Sequence, residues 1–347
     1  MNKIFICYAS SDLFSEPTGI SIISLLENNK HIPIEKIFVL DYGILSENRK
    51  RFESISETYK IPFEFIRSKE IIEQKRDELG LTDFEGSMAT YSRAFIDVIV
   101  PEYVDDLVYI DSDTVVVGDI TDLVYMDMNE TVMSAIIGIN QYPVPGEPAN
   151  PELNLLSGNH CYFACGIVRY SLTNWRKKNC LNLICSTCRK LKEFKNADQT
   201  LINNAIPEAW IIPMHPRFNS WLHELPPCYG EVELTRGGFY SKEVAKEAVN
   251  NPAIHHYKGA LFRPWFKGSL SRANEAYFKY KAMSPWKDTP LMVMDGLDSQ
   301  DMRRRKSRAL ELRTLGPRQH IKNLIVLKVY DFFAKAYRKY YRKLFIK

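Results

Sequence analysis

Short apolar runs separated by polar, periodic stretches organise the first two thirds of the chain. Residues 3–8 read as a strand, Ser10, Ser11, Asp12, Pro17 and Gly19 as a loop, and 20–28 as a helix. The run 37–40 ends in Asp41-Tyr42-Gly43, and a helical stretch over 46–60 leads to the alternating segment 61–66. Strands this short and apolar are those that helices cover on both faces, which predicts an α/β fold. Residues 87–99 read as a further helix with Tyr91, Phe95 and Ile99 along one side, stopped by Pro101. The run 107–110 is a buried strand halted by Asp111-Ser112-Asp113, and 115–117 is a second one closed by Gly118-Asp119. Strands are expected over 131–139 and 161–170, and helices near 174–195 and 198–206. Between them, 140–160 holds four prolines and two glycines without periodicity, a loop long enough to shape a site. The part from 210 to 270 is aromatic and turn-rich.

Residues 271–347 differ in kind. Arg303-Arg304-Arg305-Lys306 opens a basic stretch, and 321–346 reads as a helix in which apolar, aromatic and basic residues interleave. Charge divides accordingly: residues 301–347 carry 15 Lys/Arg and 3 Asp/Glu, net +12, whereas the other 300 carry 31 and 39, net −8. An acidic body with a basic tail is not the profile of a uniformly basic nucleic-acid binder. The tail suits attachment to an anionic membrane surface, its alternative being a helix packed on the body or on another subunit. The opening residues turn polar at Ser10-Ser11-Asp12, unlike a secretory leader, and no run of about 18 apolar residues occurs. Seven cysteines in a chain of this size read as reduced thiols, and Cys185-Ser186-Thr187-Cys188 lacks the second pair of a zinc site. A cytoplasmic protein, peripheral on the inner face of the membrane, is expected.

Candidate chemistry gathers at four places. Asp111-Ser112-Asp113 stands where an apolar strand meets a loop, the position at which open α/β sheets bind ligands. Two carboxylates one small residue apart can face one hard cation, and such a cation is the natural partner of a diphosphate. The segment His255-His256-Tyr257-Lys258-Gly259, continuing to Arg263-Pro264-Trp265, offers an imidazole for that ion, a glycine for close backbone approach, and two cations for phosphate. Asp198-Gln199 opens a helix, and Arg93 lies in Thr90-Tyr91-Ser92-Arg93. Singly, each has an ordinary reading: a solvated turn, a packed histidine, exposed bases, a helix cap, a base on a helix surface.

Together, and in this order, these segments resemble glycosyltransferase family 8. The likeness runs from the first strand to about Trp265 and includes Tyr162-Phe163-Ala164-Cys165-Gly166 and Asp198-Gln199-Thr200-Leu201-Ile202-Asn203. It implies a GT-A fold, a Rossmann-like mixed sheet flanked by helices, with the basic helical extension added at the C-terminus. It implies a nucleotide-sugar half at about 1–130 continuous with an acceptor half at about 131–270, followed by the tail at 271–347. It implies that Asp111, Asp113 and His256 ligate Mn²⁺ or Mg²⁺ on a UDP-sugar, that Ser112 lines the donor, and that Lys258, Gly259 and Arg263 meet its phosphates. Arg93 and Asp198 would hold the donor sugar, Gln199 would lie beneath its anomeric carbon, and Ala9 to Asp12 would touch uridine. Trp265 would shape the site by packing. The acceptor would be a glycan, glycolipid or glycoprotein hydroxyl, as in a lipopolysaccharide precursor. Two departures stand out: Ala164-Cys165-Gly166 replaces the family's usual Asn and Ala or Ser before the glycine, and Arg263 replaces a lysine. Two other classes stay open at this point: a metal-dependent nucleotidyl- or phosphotransferase, and a basic-tailed nucleic-acid or membrane-binding module.

Overall fold

The structure, a computed structural model, describes residues 3–83, 87–138, 161–191, 196–221, 230–231, 234–235 and 239–293, together with positions 303, 306 and 307. The loop expected over 140–160 and the helix expected over 321–346 lie outside the described residues.

Three parallel strands, β1 (Ile4–Ser10), β2 (Ile34–Asp41) and β3 (Phe63–Arg67), alternate with helices α1 (Ser15–Asn28) and α2 (Ser46–Tyr59). Helix α3 (Ser68–Leu79) and the short α4 (Ile96–Ile99) then lead to β4 (Asp106–Ile110), which returns to the far side of β1. After β5 (Thr114–Val116) and the short α5 (Thr121–Val124) the chain adds β6 (Met133–Ile137), β7 (Phe163–Ser171) and, beyond helices α6 (Leu172–Lys177), α7 (Cys180–Cys188) and α8 (Ala197–Ala205), β8 (Ile211–Pro213). The resulting seven-stranded sheet has the order β3-β2-β1-β4-β7-β6-β8, with β7 antiparallel to both its neighbours. It is one mixed sheet, so the first and second halves of the chain share a single hydrogen-bonded layer. Alternation along β1 sends Phe5 and Cys7 to one apolar cluster and Ile4, Ile6 and Tyr8 to the other, so both faces are core. The strand order reverses between β1 and β4, and the crevice at their carboxyl ends is where such sheets bind ligands.

Three local expectations change. Helix α1 begins at Ser15, so Pro17 and Gly19 lie inside it rather than in a loop. Pro17 is tolerated in the first turn, where its missing N–H would have no intrahelical partner. Gly19 is required by packing: a Cβ there would stand 2.1 Å from the Trp286 ring. The helix expected over 87–99 is instead a 3₁₀ turn, Ala89–Arg93, followed by α4. Tighter winding turns Tyr91, Ser92 and Arg93 all inward, a grouping that one face of a continuous helix could not supply.

Packed structure continues past residue 270. After α9 (Lys242–Asn250) and β9 (Ile254–His256), helix α10 (Asn274–Lys281) lies on α1, and Ala273, Tyr277, Tyr280 and Trp286 belong to the same apolar cluster as β1 and α1. The buried Lys281 ammonium pairs with the buried Glu16 carboxylate, which also accepts from the Tyr277 hydroxyl at 2.9 Å. Trp286 donates its indole N–H to Asn48 at 2.9 Å and meets Phe52 edge-on at 5.3 Å. Among the described residues no helix is long and apolar enough to cross a membrane.

Trp286 fills the notch that Gly19 leaves open, so Trp286→Ala is expected to lower stability by about 3–5 kcal/mol in urea unfolding. A chain ending at residue 270 should lose at least as much, which the same measurement checks.

Candidate active site

Asp111 and Asp113 are brought to His256 by backbone pairing. Strand β5 follows Asp113 immediately and pairs antiparallel with β9, setting Thr114 opposite His256. The Tyr257 N–H donates to the Asp113 carbonyl at 2.8 Å, and the Asp111 N–H to the Gly166 carbonyl at 2.8 Å. His256 Nε2 thereby lies 3.0 Å from Asp113 Oδ1 and 3.7 Å from Asp111 Oδ2. One ligand atom from each of the three residues falls within 4.8 Å of the other two, the only such group among the described residues. Gly166 makes the space: a Cβ there would sit 2.3 Å from His256 Cε1 and 3.0 Å from Asp111 Oδ2.

Arg93 is buried between two carboxylates. Its NH1 donates to both oxygens of Asp111 at 2.9 and 3.0 Å and to the Cys165 carbonyl at 3.0 Å, while NH2 donates to Asp198 Oδ1 at 2.7 Å. Its Nε stands 2.6 Å from Asp198 Oδ2 without the alignment of a hydrogen bond. The expectation of an N-cap for Asp198 gives way: it sits in the first turn of α8, has no exposure, and answers Arg93. The neighbouring Gln199 accepts from the Cys165 N–H at 3.0 Å through Oε1, which ties α8 to β7 beside Gly166.

The remaining expected residues divide. Ser112 donates to the Ala9 carbonyl and accepts from Thr18, joining the ends of β4, β1 and α1. Asp12 turns to the connection after β2, accepting from the Leu45 N–H and from Asn48, each at 2.9 Å. Arg263 reaches Asp113 Oδ2 at 3.2 Å, and Lys258 holds its ammonium 4.2 Å from the centre of the Trp221 ring. Gly259 has φ +75°, a conformation that side chains disfavour, and open space where its Cβ would be, so backbone freedom alone requires glycine there. Trp265 is buried against Phe14, Tyr257 and Tyr277.

Three contributors were not among the expected site residues. Tyr109 donates to Asp111 Oδ1 at 3.1 Å, Asn219 bonds His256 Nδ1 at 2.8 Å, and Gly166 acts by its missing side chain. Only Tyr109, on the strand that ends at Asp111, has a sequence position that points to its role.

Electrostatics follows from one guanidinium serving two buried acids. Burial raises both Asp111 and Asp198, and Arg93 offsets this only in part, leaving the Asp198 carboxyl pushed up to about 6. Burial also works against Asp113, but His256 and Arg263 outweigh it and hold that carboxyl below the usual range.

Between its ordinary value of 3.8 and about 6, Asp198 keeps a proton in the folded chain that the unfolded chain releases. Its contribution to stability is therefore greatest below the lower value and is lost as pH rises through the upper one. Asp198→Asn is expected to flatten the fall in unfolding free energy across that interval, read by urea titrations at stepped pH.

Residues 5–268 match the model of glycosyl transferase family 8. General stress protein A of Bacillus subtilis is 25% identical over 282 residues, covering 80% of this chain and 92% of its own. Lipopolysaccharide 1,2-glucosyltransferase of Escherichia coli is 24% identical over 292 residues, covering 82% and 79%. Among solved structures, an active-site mutant of LgtC superposes with a TM-score of 0.67 at 18% identity, over 85% of this chain and 99% of that one. The galactosyltransferase LgtC in complex with donor and acceptor sugar analogs does so with 0.64 over the same shares. The mixed sheet with helices on both faces is thus a GT-A fold, and a chain whose family match takes in every one of the site residues above belongs to glycosyl transferase family 8 and is a glycosyltransferase.

Proposed function

We propose that the protein is a metal-dependent, retaining hexosyltransferase that moves a hexose from a UDP-sugar to a hydroxyl of a cell-surface glycan or glycolipid precursor. The observation that carries this reading is the convergence of Asp111, Asp113 and His256 within 4.8 Å, in space that only a glycine at 166 leaves open. Two carboxylates and one imidazole suit Mn²⁺ or Mg²⁺, since hard oxygens dominate and a single borderline nitrogen is tolerated. A divalent cation held there supplies positive charge to the departing diphosphate.

The chain's own groups account for the rest. Arg263, 3.2 Å from Asp113, and Lys258 bring further positive charge to the phosphates. Arg93 and Asp198 offer donors and acceptors for sugar hydroxyls, fixed in place by their mutual ion pair. The Gln199 carbonyl keeps one lone pair beyond its bond to the Cys165 N–H, enough to steady positive charge at an anomeric carbon. An amide is a poor nucleophile, which favours a same-face reaction over a covalent glycosyl-enzyme. The bond from the anomeric carbon to the diphosphate oxygen breaks, the acceptor oxygen bonds to that carbon from the same side, and its proton passes to the departing phosphate. Asp198 is the reserve nucleophile.

The acceptor class draws support from the relative named as a lipopolysaccharide glucosyltransferase and from the net +12 of residues 301–347, suited to an anionic cytoplasmic membrane face. A nucleotidyl- or phosphotransferase using the same acids would cleave the donor at phosphorus, so the released nucleotide separates the two.

EDTA is expected to abolish UDP release from a UDP-hexose, and Mn²⁺ to restore it. Asp113→Ala should cut turnover by on the order of 10²–10³. Proton NMR of the product should report retained anomeric configuration; inversion would refute the same-face route, and release of UMP or pyrophosphate would refute glycosyl transfer. In sedimentation with anionic vesicles, removing residues 301–347 should abolish binding, and unchanged binding would rule out the tail as the anchor.

A further inference from the structure

We propose that Asn219 positions His256 for the cation, by holding a proton on Nδ1 so that Nε2 is the nitrogen left to meet a cation between Asp111 and Asp113. The inference rests on the metal-dependent reading above and adds a residue that lies outside every motif of the site.

Asn219 has no solvent exposure. Its Oδ1 lies 2.8 Å from His256 Nδ1. An amide oxygen can only accept, so Nδ1 carries the proton and, in a neutral ring, Nε2 is left with a lone pair. That nitrogen is the one 3.0 Å from Asp113 Oδ1 and 3.7 Å from Asp111 Oδ2. In the other tautomer Nδ1 would be the bare nitrogen, and Nε2 would keep its hydrogen on Asp113, closed to a cation.

The backbone holds this arrangement in register. The Ala253 N–H donates to the Arg217 carbonyl at 2.8 Å, the Ser220 N–H to Ile254 at 2.9 Å, and the His256 N–H to Ser220 at 2.9 Å. The segment carrying Asn219 is therefore stapled along β9, and the amide cannot drift from the ring it faces. Its Nδ2 is buried without a partner. An orphaned buried donor costs about 1–3 kcal/mol, so packing alone would be met better by leucine. What leucine lacks is the acceptor for Nδ1.

Two readouts test this on the full chain. Nitrogen-15 NMR of labelled histidine reports whether His256 Nδ1 carries a proton without metal, and electron paramagnetic resonance reports the Kd for Mn²⁺. Asn219→Leu is expected to lose the Nδ1–H form and to bind Mn²⁺ roughly ten- to hundredfold more weakly. Asn219→Asp, which restores an acceptor, should keep both the tautomer and the affinity of the unaltered chain. If leucine does not fold at this position, Asn219→Ala removes the acceptor equally. The proposal is overturned if the acceptor-free variant keeps tautomer and affinity, or if Asn219→Asp falls as far, which would make the role one of packing. Failure of the unaltered chain to bind Mn²⁺ would instead refute the metal reading, and the tautomer in the acceptor-free variant then decides the role of Asn219.

Discussion

Three carboxylates, Asp111, Asp113 and Asp198, are gathered into one largely buried site, and negative charge out of water is tolerated only beside positive charge. Much of the local architecture answers that constraint. Arg93 is drawn inward by a 3₁₀ turn to stand between Asp111 and Asp198, and Arg263 and His256 stand against Asp113. One guanidinium for two acids leaves a shortfall, visible in the raised Asp111 and Asp198 carboxyls. A site short of positive charge is suited to a cation among Asp111, Asp113 and His256.

The sheet supplies the fixed points. The carboxyl ends of β1 and β4 lie at the reversal of strand order, and the hydroxyls of Thr18 and Ser112 with the Ala9 carbonyl tie those ends together. The small pair β5 and β9 adds what the large sheet cannot, a backbone ladder that fixes the distance between two acids and a histidine far away in sequence. Two glycines serve it by opposite means. Gly166 contributes by volume, because any side chain would strike His256, and Gly259 by conformation, because its φ is positive. An alanine at either position would fail for a different reason.

Packing beyond the family match matters to the same site. Residues 273–286 lie outside the matched region yet bury Tyr277, Tyr280 and Trp286 against α1, and Tyr277 also meets Trp265. Trp265 in turn meets Phe14, over which the Arg263 guanidinium rests 5.3 Å from the ring centre. The basic residue beside Asp113 is thus seated on an aromatic stack whose far side is helix α10.

In the sequence by itself, short apolar runs announced β1 to β7, because they have few other places to go, and the acid pair, because it ends such a run. Strands β8 and β9, the latter bearing His256, lie in a stretch read only as aromatic and turn-rich. Order and spacing of the motifs carried the family. Tertiary structure decided the rest, and in each instance the reason is distance along the chain. Nothing local to Arg93 tells a buried bridge from a surface base, since its partners are 18 and 105 residues away. Nothing local to Asn219 announces a histidine 37 residues on. The helix expected over 87–99 gave way because long-range ion pairing outweighs local periodicity, and the packing of residues 273–286 on α1 cannot be read from the change of composition near 270.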